Sequence, residues 1–421
     1  MTATDDISGR TVDRRSVISV LRRLHSPEGQ FDPFPLYEEL RGMGDVVPAP
    51  WGGYLVTGYD ACSQILRDTG TWLVPDIPWQ DRQPDPERWQ SPATREMSRT
   101  LSRLNGDAHT AERRSVGNPF DRRTLGAMLA RIDGHVADIL DDLDSQLRRN
   151  GTADFVTAVS EQLPVRVSGD WLGIPAKDRE YLVDLTHRQA HATELLPTKR
   201  ELAVSADATL ELRAYFTDLI RRRRARPGDD VVTKLIAYWA AQYPDDRTSA
   251  DEHVYILTMF LTVASLETTQ TLLSVLLRHL TEEPSRWVWL RAHPEHIDDA
   301  VEEALRFDPA IHINSRYAAE DTVLCGVPIA RDTVIHGLFA AANHDPRVNA
   351  DPDRFDIVRK GSHLTFGSGA HYCMGAPLAR LEARSLLAQL LGRFPGLRQV
   401  APPTYARRMV FRRMTSLELT A

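Results

Sequence analysis

The sequence predicts a mainly α protein with a small β subdomain, and three observations predict it. Apolar residues recur at helical spacing almost without a break from about residue 111 to residue 280. Short β-branched runs flank that block, at residues 53–57 and again at 322–329 and 333–338 with a turn between. No repeat, low-complexity block or linker divides the 421 residues, so 1–421 read as one domain, with residues 1–30 a flexible N-terminal segment.

In chain order, residues 35–41 read as a helix, 53–57 as a strand and 60–67 as a second helix. Residues 72–99 carry several Pro, Asp and Trp without clean periodicity and read as a long loop with about one helical turn. Loops of that length in compact domains are usually functional or disordered. Ser249 and Glu252 form a capping box that opens a helix reaching to about residue 280. It is apolar on nearly every face, as expected of a buried helix. Its longest apolar stretch, residues 254–266, is broken by Thr and Ser and is too short to span a bilayer. After Arg316 the strands appear, and residues 402–421 read as a closing hairpin.

Composition narrows the function classes. A hydrophobic content of 42% can supply a large core, and a net charge of −7 argues against generic nucleic-acid binding. Three cysteines (Cys62, Cys325, Cys373) are too few for a disulfide framework and suit a reducing compartment. Arg14-Arg15 is followed by Arg22 and Arg23 rather than an apolar segment, so it does not read as an export signal. The expected location is the cytoplasm.

The run from Phe366 to Gly375, with Gly367, Gly369, His371 and Cys373 inside it, leads straight into a helix near Pro377. A cysteine just before a helix N-terminus sits where N–H groups and the helix dipole favour a thiolate. Such a thiolate is a candidate axial ligand for haem iron. A lone cysteine in a glycine-rich turn reads first as inert. The ordered pattern Phe-Gly-any-Gly-any-His/Arg-any-Cys-any-Gly, however, resembles the haem-binding loop of the cytochromes P450.

The resemblance extends over most of the chain. It implies the triangular, mainly α P450 fold, with haem b between the Glu267 helix and the Cys373 helix. Ala264-Ser265-Leu266-Glu267-Thr268-Thr269 resembles the family's oxygen-binding helix, where an acid and an alcohol relay protons to dioxygen and a local distortion makes room. By itself this segment reads equally as a threonine bonded back to the i−4 carbonyl with Glu267 reaching solvent. Ser265 stands where the family usually has Gly, which puts the size of the distortion in question. Glu303-x-x-Arg306 is by itself a surface pair, but it lies 70 residues before Cys373 (373 − 303), as the family's buried structural motif does. Its third partner is then Arg354 or a neighbour within residues 351–355.

By the same resemblance His109, Arg113, Arg316 and His363 hold the haem propionates, although each taken singly reads as a surface residue. Phe260, Val263, Ala264, Ile311 and His312 are the expected substrate contacts, with His312 bonding a polar group of substrate or pointing into the sheet. Asn314 reads as a propionate partner before a substrate contact. Residues 72–99, 184–210 and 311–315 are the regions the family varies for substrates. The run Arg221 to Arg224 reads as a solvated end of a surface helix.

No Gly-rich dinucleotide fingerprint follows a strand, so electrons are expected from a separate ferredoxin or flavodoxin, docking near Arg114, Arg122 and Arg123. The expected activity is insertion of one atom of O2 into a small or medium organic substrate, in bacterial secondary metabolism, by a monomer. A peroxygenase or isomerase of the same fold, and a catalytically silent haem sensor, are the rival readings. Retention of both Glu267 and Thr268 disfavours them.

Overall fold

The computed structural model describes residues 4–7, 10–117 and 119–421. By its internal contacts the chain divides into two compact units: Met1–Val74, Val136–Ser160 and Thr271–Ala421 form the first, Pro75–His135 and Glu161–Gln270 the second. The helices that matter below are α1 (Arg14–Leu24), α2 (Tyr59–Arg67), α3 (Pro92–Met97), α4 (Gly106–Val116), α5 (Arg122–Asn150), α6 (Lys199–Ala225), α7 (Val231–Gln242), α8 (Arg247–Glu282), α9 (Ile297–Phe307) and α10 (Ala376–Arg393).

In the first unit, Asp13 caps α1 by accepting from Arg15 N–H, and the helix buries Val17, Val20, Leu21 and Leu24. Residues 14–24 are therefore packed rather than flexible. A five-stranded sheet follows from β1 (Val46–Pro48), β2 (Tyr54–Val56), β3 (Trp72–Leu73), β4 (Ile313–Ala318) and β5 (Val334–Leu338), in the order β1-β2-β5-β4-β3. β5 runs parallel to β2 and antiparallel to β4. Residues 322–329, read as one strand, are a hairpin of Thr322–Leu324 and Val327–Ile329, turned at Cys325 and Gly326, both with positive φ. The closing hairpin is present as Thr404–Tyr405 on Met414–Ser416, and Glu418–Thr420 joins a second small sheet.

In the second unit, residues 75–99 hold three short helices where the sequence suggests about one turn: Ile77–Gln80, Pro86–Trp89 and α3. Each follows Asp76, Asp85 or Ser91 and carries a proline in its first turn, a placement that suits proline's fixed φ. α8 starts two residues earlier than the proposed capping box. Asp246, not Ser249, is the cap, its Oδ1 accepting from Ser249 N–H at 3.0 Å. Glu252 is free of capping because it meets Arg213 of α6 and Arg99, at 2.8 and 2.5 Å. The basic run at the end of α6 is likewise engaged: Arg223 pairs with Asp230 and Arg224 with Asp251.

α8 is the one helix of the described residues long and apolar enough to cross a membrane, and 72% of its apolar window is buried inside the fold. Burial of that extent is what a core helix shows.

Candidate active site

Gly367 (φ +69) and Gly369 (φ +66) take left-handed conformations that L side chains rarely adopt, and they fold the cysteine loop back on itself. A Cβ on Gly369 would meet the Leu66 carbonyl of α2 at 2.8 Å, so only glycine lets the loop lie on that helix end. Gly367 N–H donates to Leu364 O at 2.8 Å and Cys373 N–H to Phe366 O at 2.9 Å. Gly375 then caps α10, with Pro377 in its first turn. Cys373 stands three residues before the first helical residue and is partly exposed.

The other cysteines differ. Cys62 is fully buried, its Sγ donates to Val56 O at 3.3 Å, and burial pushes its thiol far above the ordinary range. Cys325 lies in the exposed hairpin turn.

Glu303 and Arg306 form a buried bidentate pair, both bonds 2.8 Å and exposures 2% and 1%. The third partner is Arg359, whose Nε donates to Glu303 at 3.2 Å while its guanidinium binds the carbonyls of Ala350, Asp351 and Arg354. Arg354, the expected partner, is exposed and pairs with Asp356. Asn343 joins this cluster to the cysteine loop. It donates to Arg306 O at 3.0 Å, accepts from Leu364 N–H at 2.8 Å, and its carbonyl accepts from Arg306 Nη1 at 3.1 Å.

His363 Nε2 lies 3.2 Å from Glu302, while its Nδ1 is buried without a hydrogen-bond partner. Arg380 holds Glu302 in two bonds and lies 4.5 Å over the Phe366 ring. Burial alone would raise Glu302, but Arg380 and His363 bring it down to about 2. Arg316 is 2% exposed and donates to Asn314 Oδ1 at 2.8 Å, so Asn314 meets Arg316 directly.

His312 is committed elsewhere than to a substrate. Its Nδ1 is 2.9 Å from the Tyr37 hydroxyl and its Nε2 3.2 Å from Asp308, and it is 4% exposed. With both ring nitrogens used, no polar atom remains to bind a ligand. Asp308 is buried too, which would raise its carboxyl, but Arg412, His312 and Arg278 hold it below the usual carboxylate range. Ile311, next in the chain, is partly exposed and bridges to Phe411.

In the second unit, α8 is unbroken through Ser265. Ser265 donates to Thr262 O at 3.0 Å and Thr268 to Ala264 O at 2.7 Å. The threonine is thus bonded back as its isolated reading predicts, but Glu267 does not reach solvent: it is 2% exposed. From residue 254 to residue 281 only Phe260, Val263, Ala264, Ser265 and Thr268 are partly exposed, on or next to one face of a helix otherwise buried there. On α4, His109 is buried and Arg113 partly exposed one turn later. Burial and Arg113 together hold His109 below its ordinary pKa. Arg114, Arg122 and Arg123 are exposed.

Each unit carries features that fit a haem. In the first, a glycine-cradled cysteine precedes a helix and a buried imidazole nitrogen of His363 lacks a partner; in the second, a buried helix leaves part of one face partly exposed. His371 had no role in the sequence reading. The signal was the motif itself, which asks for His or Arg two residues before the cysteine.

A family model described as Cytochrome P450 matches residues 290–416. A putative cytochrome P450 140 of Mycobacterium tuberculosis is 31% identical over 409 residues, covering 95% of this chain and 91% of that protein. The 6-deoxyerythronolide B hydroxylase of Saccharopolyspora erythraea is 31% identical over 89% of this chain and 91% of its own length. Among solved structures, ligand-free Mycobacterium smegmatis CYP164A2 matches with a TM-score of 0.83 at 28% identity, covering 96% of this chain and 100% of that one. By this likeness along nearly its whole length, the chain belongs to the cytochrome P450 family and is a haem b monooxygenase of the bacterial kind.

Proposed function

We propose that the chain inserts one oxygen atom of O2 into a small or medium, largely apolar molecule of bacterial secondary metabolism. Haem, when bound, supplies the oxygen activation. Cys373 is the thiolate ligand. Phe366, Gly367 and Gly375 shape the loop against the haem, while Arg316 and His363, with His371 beside the cysteine, hold propionates. His109 and Arg113 do the same from α4.

The observation that carries the reading is the pairing on α8. Glu267 is buried at 2% exposure, and the next residue, Thr268, remains partly exposed. Because Thr268 donates its proton to Ala264 O, its oxygen lone pairs are left to accept a proton-bearing group. A protonated Glu267 would give up its proton to a group held there and be left as carboxylate, reprotonated from solvent. Phe260, Val263, Ala264 and Ile311 supply apolar contacts to substrate, consistent with sites that are mostly apolar with few polar anchors.

The relatives support the substrate class only by kind: an erythromycin C-12 hydroxylase, also of Saccharopolyspora erythraea, is 32% identical over 87% of this chain. Electrons come from a ferredoxin or flavodoxin, steered by Arg114, Arg122 and Arg123. The enzyme acts in the cytoplasm as a monomer, its residues 1–421 forming one catalytic domain. The test is NADH consumption with a surrogate ferredoxin system against a panel of macrolide, terpene and aromatic substrates. Substrate-dependent NADH use with a product heavier by one oxygen is expected. Turnover by peroxide alone, with none through the ferredoxin, would overturn the reading.

A further inference from the structure

α4 carries His109 and Arg113, yet little in its own sequence holds it in place. It has eleven residues, starts at Gly106 and is followed by a Gly117 cap, both with positive φ, and buries only His109 and Glu112. A helix this short is marginal in water by itself, so its position depends on what its buried face touches.

That contact is specific. Glu112 Oε1 is bonded to His253 Nδ1 of α8, and Glu112 Oε2 is buried without a hydrogen-bond partner. The His253 ring stacks on Trp239, with centroids 3.9 Å apart and planes 8° from parallel, and on Tyr243 at 5.2 Å and 23°. Its Nε2 lies 3.2 Å from the Tyr243 hydroxyl. Both ring nitrogens are therefore engaged, and the ring lies against Trp239. A carboxylate buried to 7% side-chain exposure needs a donor or a cation, and His253 is the side chain bonded to it.

We propose that His253 is a positioning residue for the haem: stacked on Trp239 and bonded to Tyr243 and Glu112, it fixes α4 and so sets how firmly His109 and Arg113 hold the propionates. Glu112 stands three residues after His109 and immediately before Arg113, so any rotation or retreat of α4 at Glu112 moves both. The proposal rests on the reading of His109 and Arg113 as propionate partners.

The test uses purified holoprotein and two readouts besides turnover: the rate of haem transfer to excess apomyoglobin, and the haem reduction potential. His253→Phe keeps the stacking and removes the bond; His253→Gln keeps an N–H donor for Glu112. His253→Phe should speed haem transfer roughly 10-fold, the scale seen when outer partners of a bound centre are removed. It should also shift the potential, and His253→Gln should restore most of both. His109→Ala is measured alongside. If His109→Ala leaves transfer unchanged, the propionate reading of α4 fails. If His109→Ala speeds transfer and His253→Phe does not, or if Gln rescues neither readout, the positioning role is overturned.

Discussion

Glu303 offers the sharpest stability prediction. Its carboxylate accepts from Arg306 at 2.8 and 2.8 Å, from Arg359 at 3.2 Å and from Asp356 N–H at 2.9 Å. Glu303→Ala would leave the Arg306 charge, 1% exposed, with only the Asn343 carbonyl. Removing one member of a buried ion pair costs roughly 3–5 kcal/mol because the other charge is left uncompensated. Against a total of about 5–15 kcal/mol for a folded protein, that is at least about a fifth of the stability. Asn343 passes the damage on, since it bonds both Arg306 and Leu364 at the start of the cysteine loop. Glu303→Ala should therefore lower the urea midpoint and reduce haem content together, with Glu303→Gln between it and wild type. A Glu303→Ala protein within about 1 kcal/mol of wild type and fully loaded with haem would refute this reasoning.

Other expectations follow from the same geometry. Removing a positioned proton-transfer group costs on the order of 10²–10⁴ in rate, so Thr268→Ala should lose product while NADH use continues as peroxide or water; unchanged coupling would refute the relay. His312→Ala should destabilise by about 1–3 kcal/mol, through the unpaired Tyr37 and Asp308, and leave the substrate-induced spin shift alone; a weakened spin shift at unchanged stability would return it to the pocket. Burial raises Glu382 to about 8, against roughly 4.3 in an unfolded chain. The folded protein thus holds that proton more tightly, and the stability it brings is complete below pH ~4.3 and is lost as pH rises through 8. Glu382→Gln should flatten that decline in thermal melts, and an unchanged slope would contradict a protonated carboxyl.

The parts of the site that could be read from sequence are those written locally. The cysteine loop declares itself because two glycines must adopt positive φ and a helix must follow at fixed spacing. Glu303 and Arg306 are one helical turn apart, so their pairing needs no tertiary information. Arg359 could not be found this way. The stretch from Asn343 to Phe366 has no periodicity, and which arginine turns inward depends on carbonyls of residues 350, 351 and 354 presented by the fold. The sequence left His312 open between a substrate contact and a structural place for a similar reason, since its partners Tyr37 and Asp308 come from distant and local chain at once. The short helices of residues 75–99 were legible but overlooked, in the Asp-Pro and Ser-Pro steps that open two of them.

The most direct test is the Soret band of the reduced carbonyl complex in three cysteine variants. A thiolate ligand donates charge to the iron and moves that band to long wavelength. Wild type, Cys62→Ala and Cys325→Ala should all show the shifted band, and Cys373→Ala should lose it. An unchanged band in Cys373→Ala, or its loss in either of the others, would contradict a haem held by Cys373.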